Sequence, residues 1–153
     1  LANFAGVQRR FSFPIRTNNL VMIDDYAHHP TEINAVTQAL QMWFPDKTKT
    51  VVFQPHLFSR TKDFADDFAK ELSALDELIL LPIYPAREEP IHGVSSEWLL
   101  SKCKNEVKSI KKPSELLPYL SSFEQGVLLT IGAGDIDRLV QPMKELLTIN
   151  LAD

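Results

Sequence analysis

Between positions 24 and 29 the chain sets Asp24, Asp25, Tyr26, His28 and His29, in the run D-D-Y-A-H-H-P-T-E-I. A carboxylate can hold a ribose hydroxyl or an ammonium, and a histidine can donate to a phosphate or a carboxylate. Two adjacent histidines on an extended chain point to opposite sides, so the pair is poorly placed to share one metal ion. The plainer alternative is structural, with one histidine capping a helix and one aspartate forming a turn. So many ionisable and hydrogen-bonding groups on one short turn favour a ligand site. A second polar run, Q-P-H-L-F-S-R-T, brings Gln54, His56 and Arg60. These suit a carboxylate or a phosphate, which arginine meets as a planar fork. Gly132 and Gly134 precede a helical pattern like a phosphate cradle, but the third glycine of the dinucleotide fingerprint is missing. A tight turn for close helix packing is expected there, with amides available to an anion. The pair Arg9-Arg10 reads as solvated positions on an edge strand. Neither a G-x-x-x-x-G-K-[ST] phosphate loop nor a G-x-S-x-G nucleophile elbow occurs.

The elements that must position these groups follow from hydrophobic patterning. The apolar run Leu20-Val21-Met22-Ile23 suits a buried strand. Pro30 then falls in a first helical turn with Glu32, and Ile33, Val36, Leu40 and Trp43 continue at helical spacing until Pro45. Further strands are expected at Thr50–Phe53, Leu78–Leu81 and Gly126–Gly132, with a short one around Val107 to Ile110. Helices are expected along Phe64, Ala65, Phe68 and Leu72, from Ser95 or Ser96 through Cys103, over Ser114 to Phe123, and from Ile136 to Leu147. Pro142 should kink that last helix or split it in two. Arg10 to Phe13 alternates polar and apolar like a half-buried strand, and Asn18-Asn19 marks a turn. The long loop Tyr84 to Gly93 carries two prolines and three charges, a length usually tied to function. Strands alternating with helices predict a mostly parallel α/β sheet with an antiparallel ribbon at the front. The polar turns after Ile23, Phe53, Leu81 and Ile131 then share one edge, where open α/β sheets bind ligands.

The 153 residues suffice for one domain with a real core, and 16 basic against 20 acidic residues argue against a general nucleic-acid binder. The lysines between Lys102 and Lys112 read as a solvated face and loop. The lone Cys103 excludes an internal disulfide and, beside Leu99 and Leu100, reads as a packed small hydrophobe. The sequence has no apolar run long enough to span a bilayer and no signal-peptide pattern at its start, which points to the cytoplasm. It opens on Leu1 rather than methionine, as a piece of a longer protein would.

Five ordered blocks, G-V-Q-R-R-F, D-D-Y-A-H-H-P-T-E-I, F-Q-P-H-x-x-x-R-T, Y-P-A-x-E-x-P-I-x-G-V-S-S and G-A-G-D-I, resemble the carboxy-terminal domain of the Mur ligases over essentially the whole chain. The strongest resemblance is to the branch that joins L-alanine to UDP-N-acetylmuramate. It implies a Rossmann-like three-layer α/β domain spanning 1–153, the third of a three-domain enzyme. The other two domains would hold the UDP-sugar and, with a phosphate loop, ATP and Mg2+. The implied reaction proceeds with ATP hydrolysis through an acyl phosphate, in peptidoglycan synthesis. The resemblance implies that Arg10 reaches the nucleotide and that Asp25 lies near its ribose. It implies that Tyr26, His28, His56 and Arg60 face the amino acid and the muramoyl acceptor. It assigns no catalytic group to this domain, which alone is expected to be inactive. Two positions depart from the pattern. Leu57 stands where an arginine is common, and Arg87 where a glycine is common. Two alternatives stay open: the murein peptide ligase branch, which recycles a tripeptide onto the same UDP-sugar, and a non-catalytic module for a nucleotide or phosphorylated ligand.

Overall fold

The computed structural model describes residues 9–152. Six strands, β1 (Ser12–Arg16), β2 (Leu20–Asp25), β3 (Lys49–Phe53), β4 (Glu77–Leu80), β5 (Val107–Ile110) and β6 (Gly126–Ile131), form one sheet in the order β1-β2-β6-β3-β4-β5. The β1–β2 pair is antiparallel and every other pairing is parallel. The expected parallel sheet with a front ribbon is thus what forms.

Side-chain alternation explains the three layers. Val21, Ile23, Val51, Phe53, Leu78, Leu80, Val127 and Leu129 face one side. There they meet α1 (Pro30–Trp43), α3 (Ala65–Leu72) and α4 (Ser96–Ser101) through Ile33, Val36, Leu40, Phe68, Leu72 and Leu99. Leu20, Met22, Val52, Ile79 and Leu128 face the other side, against α5 (Pro113–Leu120) and α6 (Asp137–Ala152) through Leu116, Leu120, Met143 and Leu147. Strands buried on both faces need continuous aliphatic runs, which these have. Cys103 is buried and its Sγ donates to the Leu99 carbonyl at 3.4 Å. Burial pushes its thiol pKa up to about 11, as a packed residue requires.

Three expectations need correction. The first strand starts at Ser12 rather than Arg10, because Phe11 takes φ 47° and turns the chain ahead of the ribbon. The segment after β3 is no simple turn: Phe58–Asp63 forms a short helix, α2, broken from α3 at Phe64. It lacks a side-chain cap of its own at Leu57. Its first turn is held by Glu88, whose carboxylate accepts from the Ser59 amide at 3.0 Å and from the Ser59 hydroxyl. The last helix is not split in two: it runs as one element through Pro142, whose ring removes the N–H that would bond the carbonyl four residues back. Among the described residues no helix is long and apolar enough to cross a membrane.

Candidate functional site

The connections leaving β2, β3 and β4 run to helices on one face, and that leaving β6 runs to a helix on the other. Ligand crevices of open α/β sheets lie where connections diverge in this way, here beside β6. All four polar turns meet at that edge.

At the end of β2 the two aspartates turn inward. Asp24 is 3% exposed and is gripped by Arg9, with Nε–Oδ2 at 2.8 Å and Nη2–Oδ1 at 3.1 Å. Thr130 of β6 donates to Asp24 Oδ1 at 2.7 Å. Arg9 Nη1 reaches the Gly132 carbonyl at 2.9 Å, and the guanidinium lies 5.5 Å from the Tyr26 ring centroid. Every charge in this group has a partner, as burial demands. Asp25 accepts the amides of Phe11 and Ala27, both at 2.8 Å, so it shapes the turn on either side of itself. Burial raises its pKa, against the lowering effect of those two amides.

A ladder of rings follows. Tyr26 and His28 meet edge-on at 5.1 Å, His28 and His56 at 6.1 Å, and His56 stacks on Tyr84 at 5.6 Å with only 12° between planes. Arg60, on α2, donates Nη1 to His56 Nδ1 at 3.0 Å. Among the described residues it pairs with no carboxylate. His28 Nδ1 lies 3.0 Å from the Tyr26 carbonyl, and Glu32 collects the amides of His28 and His29, both at 3.1 Å. The His56 pKa is lowered, first by burial, then by Arg60 and His28, with Glu88 pulling the other way.

Two devices hold the ladder in place. His56 and Tyr84 sit in a parallel bridge beyond β3 and β4, with Leu57 N donating to the Tyr84 carbonyl at 2.8 Å. Leu57 takes φ 74°, a region costly for a branched side chain. Gln54 ties β3 to the loop after β6: its amide donates to Asp135 at 2.7 Å and its carbonyl accepts from Ile136 N at 2.9 Å. Gly134 makes room for this packing, because a Cβ there would lie 2.7 Å from Tyr84 Cβ and Cγ and 2.5 Å from Gln54 Oε1, so one of those side chains would have to shift.

Residues 9–134 match the family described as "Mur ligase, glutamate ligase domain". The chain belongs to this family. UDP-N-acetylmuramate–L-alanine ligase of Flavobacterium psychrophilum is 58% identical over 95% of the chain and 32% of its own length. The same-named protein of Parabacteroides distasonis is 51% identical over 96% of the chain and 32% of its own length. The chain spans about a third of the length of the curated relatives it matches. Among solved structures, UDP-N-acetylmuramate–alanine ligase MurC of Thermotoga maritima superposes with TM-score 0.71 at 27% identity, over 93% of this chain and 30% of that one. A murein peptide ligase from Psychrobacter arcticus reaches TM-score 0.70 at 14% identity, over 92% of this chain and 30% of that one. At that identity the likeness shows the shared fold alone. The fold expected of a Mur ligase domain is therefore the fold observed.

Within this Mur ligase domain, the structure joins Tyr26, His28, His56 and Arg60 in one cluster. Arg10 is exposed in the bend before β1, apart from that cluster's hydrogen bonds, and its neighbour Arg9, expected to be solvated, turns inward. The structural alternative, a turn-forming aspartate and a helix-capping histidine, is met by Asp25, which accepts the amides of Phe11 and Ala27, and by His29, which opens α1 and packs 4.7 Å from the Phe64 ring. Asp24 is instead the buried partner of Arg9. Gln54 is used up inside the fold, so it is not available to a ligand carboxylate. The sequence reading missed Tyr84 and Arg9. Tyr84 had a signal, its place in the Y-P-A loop directly after a strand. Arg9 had none that separates it from Arg10. Among the described residues no group of three or more His, Cys, Asp or Glu is arranged to hold a metal ion.

Proposed function

We propose that the chain is the third domain of a cytoplasmic, ATP-dependent ligase that joins L-alanine to the lactyl carboxylate of UDP-N-acetylmuramate through an acyl phosphate. The observation that carries this reading is Arg60: a half-buried guanidinium at the ligand edge, bonded to a neutral-leaning histidine and to no carboxylate among the described residues. An incoming amino acid brings the carboxylate such a fork accepts. The names carried by the relatives, from 48 to 58% identical, support alanine as that amino acid.

On this reading Tyr26, His28, His56 and Arg60 form one wall of the amino-acid and muramoyl pocket. Arg10 extends from the exposed bend toward the nucleotide, and Asp25 stands near its ribose. ATP and Mg2+ are bound mainly by the rest of the ligase, which supplies the phosphoryl chemistry. The wall is open, with Tyr26 41% exposed. A separate open hollow lies at the opposite end of the sheet, beside Asp46, Lys47 and Lys49. An open wall suits a domain that closes on ligands held by its neighbours and excludes water from an intermediate prone to hydrolysis.

The test is ATP-dependent phosphate release by the ligase that carries this chain, given UDP-N-acetylmuramate and either L-alanine or L-Ala-D-Glu-meso-diaminopimelate. Release with alanine is the expected result. Release only with the tripeptide would move the assignment to the recycling branch. Silence with both would leave a binding module.

A further inference from the structure

A guanidinium carries N–H donors and accepts no hydrogen bond. The 3.0 Å contact between Arg60 Nη1 and His56 Nδ1 is therefore a donation from Arg60. Nδ1 must then be unprotonated, and the single proton of a neutral imidazole sits on Nε2. That nitrogen has no protein partner among the described residues, yet it is not among the buried polar atoms left without one. It is a donor open to the ligand edge.

The surroundings hold this state. Arg60 on α2 and His28 on the turn after β2 both oppose a second proton, and so does burial; Glu88, in the loop after β4, favours one but does not prevail. Tyr84 fixes the plane of the ring by stacking at 12°, and Gly134 gives the Tyr84 side chain room to lie where it does. Flipping the imidazole within that plane would set a carbon against Arg60 and lose the bond.

We infer that His56 meets the reactants as a neutral hydrogen-bond donor through Nε2–H, with Arg60 fixing its tautomer and Tyr84 acting as the positioning residue for its ring. This rests on the reading of the edge as the substrate wall. A neutral donor in a partly desolvated site suits an oxygen bearing or gaining negative charge, either the amino-acid carboxylate or the oxyanion formed when the amine attacks the acyl phosphate. The same geometry removes His56 as the base for the incoming ammonium, since Nε2 already holds a proton and Nδ1 faces Arg60.

Two measurements decide it. The first is the nitrogen NMR spectrum of the protein labelled with 15N-histidine, which reads the tautomer without any turnover. The expected signal for His56 is the Nε2–H form, still neutral as pH falls through the ordinary histidine value of 6.5. A Nδ1–H form, or an imidazolium at neutral pH, would overturn the inference. Tyr84→Phe should keep that signal, and Tyr84→Ala should mix the tautomers. The second compares His56→Gln, His56→Asn and His56→Ala in the ligase. Glutamine places an amide N–H near the position of Nε2 and asparagine near that of Nδ1. Glutamine should therefore retain at least about tenfold more kcat/KM than the other two, equivalent to about 1.4 kcal/mol of transition-state stabilisation. Equal loss in all three would sink the donor role. Wild-type silence toward alanine would sink the proposed function instead, while the tautomer remains readable on its own.

Discussion

Arg9 and Arg60 end at the same edge of the sheet, within the reach of one ring ladder, but their surroundings differ in kind. Arg9 is fully engaged by protein: two bonds to the buried Asp24 carboxylate, further bonds to the carbonyls of Gly132 and Asp25, and the Tyr26 ring beside it. Arg60 has one protein bond, to a neutral imidazole, with no carboxylate to neutralise it among the described residues. The first arrangement commits four of the five N–H donors to the protein and its charge to Asp24. The second leaves a cation with no carboxylate partner among the described residues. Charge count cannot separate the two; the distinction lies in which acceptors the fold has already committed.

The contrast is tested most severely by Arg9→Ala. It strands Asp24 as a buried, unpaired charge, and urea unfolding should show a loss of about 3 kcal/mol or more. A loss below about 1 kcal/mol, the range of an exposed ion pair, would erase the contrast. Gly134→Ala comes next. Its methyl must displace Tyr84 or Gln54, so about 1–3 kcal/mol of overpacking is expected, together with a disturbed His56 signal. Arg60→Ala should leave unfolding within about 0.5 kcal/mol, like other substitutions away from structural networks. In the ligase it should raise the KM for L-alanine about tenfold or more with a smaller change in kcat. An unchanged KM would remove Arg60 from the pocket, and a stability loss matching that of Arg9→Ala would make it a second structural arginine.

The smallest effect is in the pH dependence of stability. The folded-state pKa of His56 lies below its unfolded value, so the unfolded chain binds more protons between the two. The stabilising contribution of its neutral form is present above 6.5 and is lost as pH falls toward the lowered folded value. Wild type should therefore lose stability relative to His56→Gln on acidification through that window. Parallel curves would show that His56 titrates alike in both states.

Much of the scaffold was legible because it is written locally. Leu20–Ile23, Thr50–Phe53 and Gly126–Ile131 are aliphatic runs closed by polar turns, and parallel strands necessarily place those turns on one edge. What escaped depends on contacts between distant segments. The helix α2 has no cap in its own sequence and is held by Glu88, 29 residues from Ser59. Of two adjacent arginines, Arg9 is the one that turns inward, held by Asp24 and by the Gly132 carbonyl 15 and 123 residues away, which no pattern of residue types announces. Gln54 looked like a ligand group because its partners, Asp135 and Ile136, lie 81 and 82 residues away. The site histidines and Arg60 were readable as chemistry, while their hydrogen-bond partners were not.

The place of β6 also bears on how the domain is made. It is the last strand among the described residues, yet it lies between β2 and β3, each of which pairs with it and not with the other. Until residues 126–131 leave the ribosome, two apolar strands have an open edge each and no partner for it, the condition that invites wrong pairings. The pairs that close the sheet are far apart in sequence, so closure is slow relative to the helices that form locally. Truncation before β6 is expected to give an aggregating chain rather than a smaller domain. The edge carrying His56 and Arg60 exists only once the final strand has been inserted.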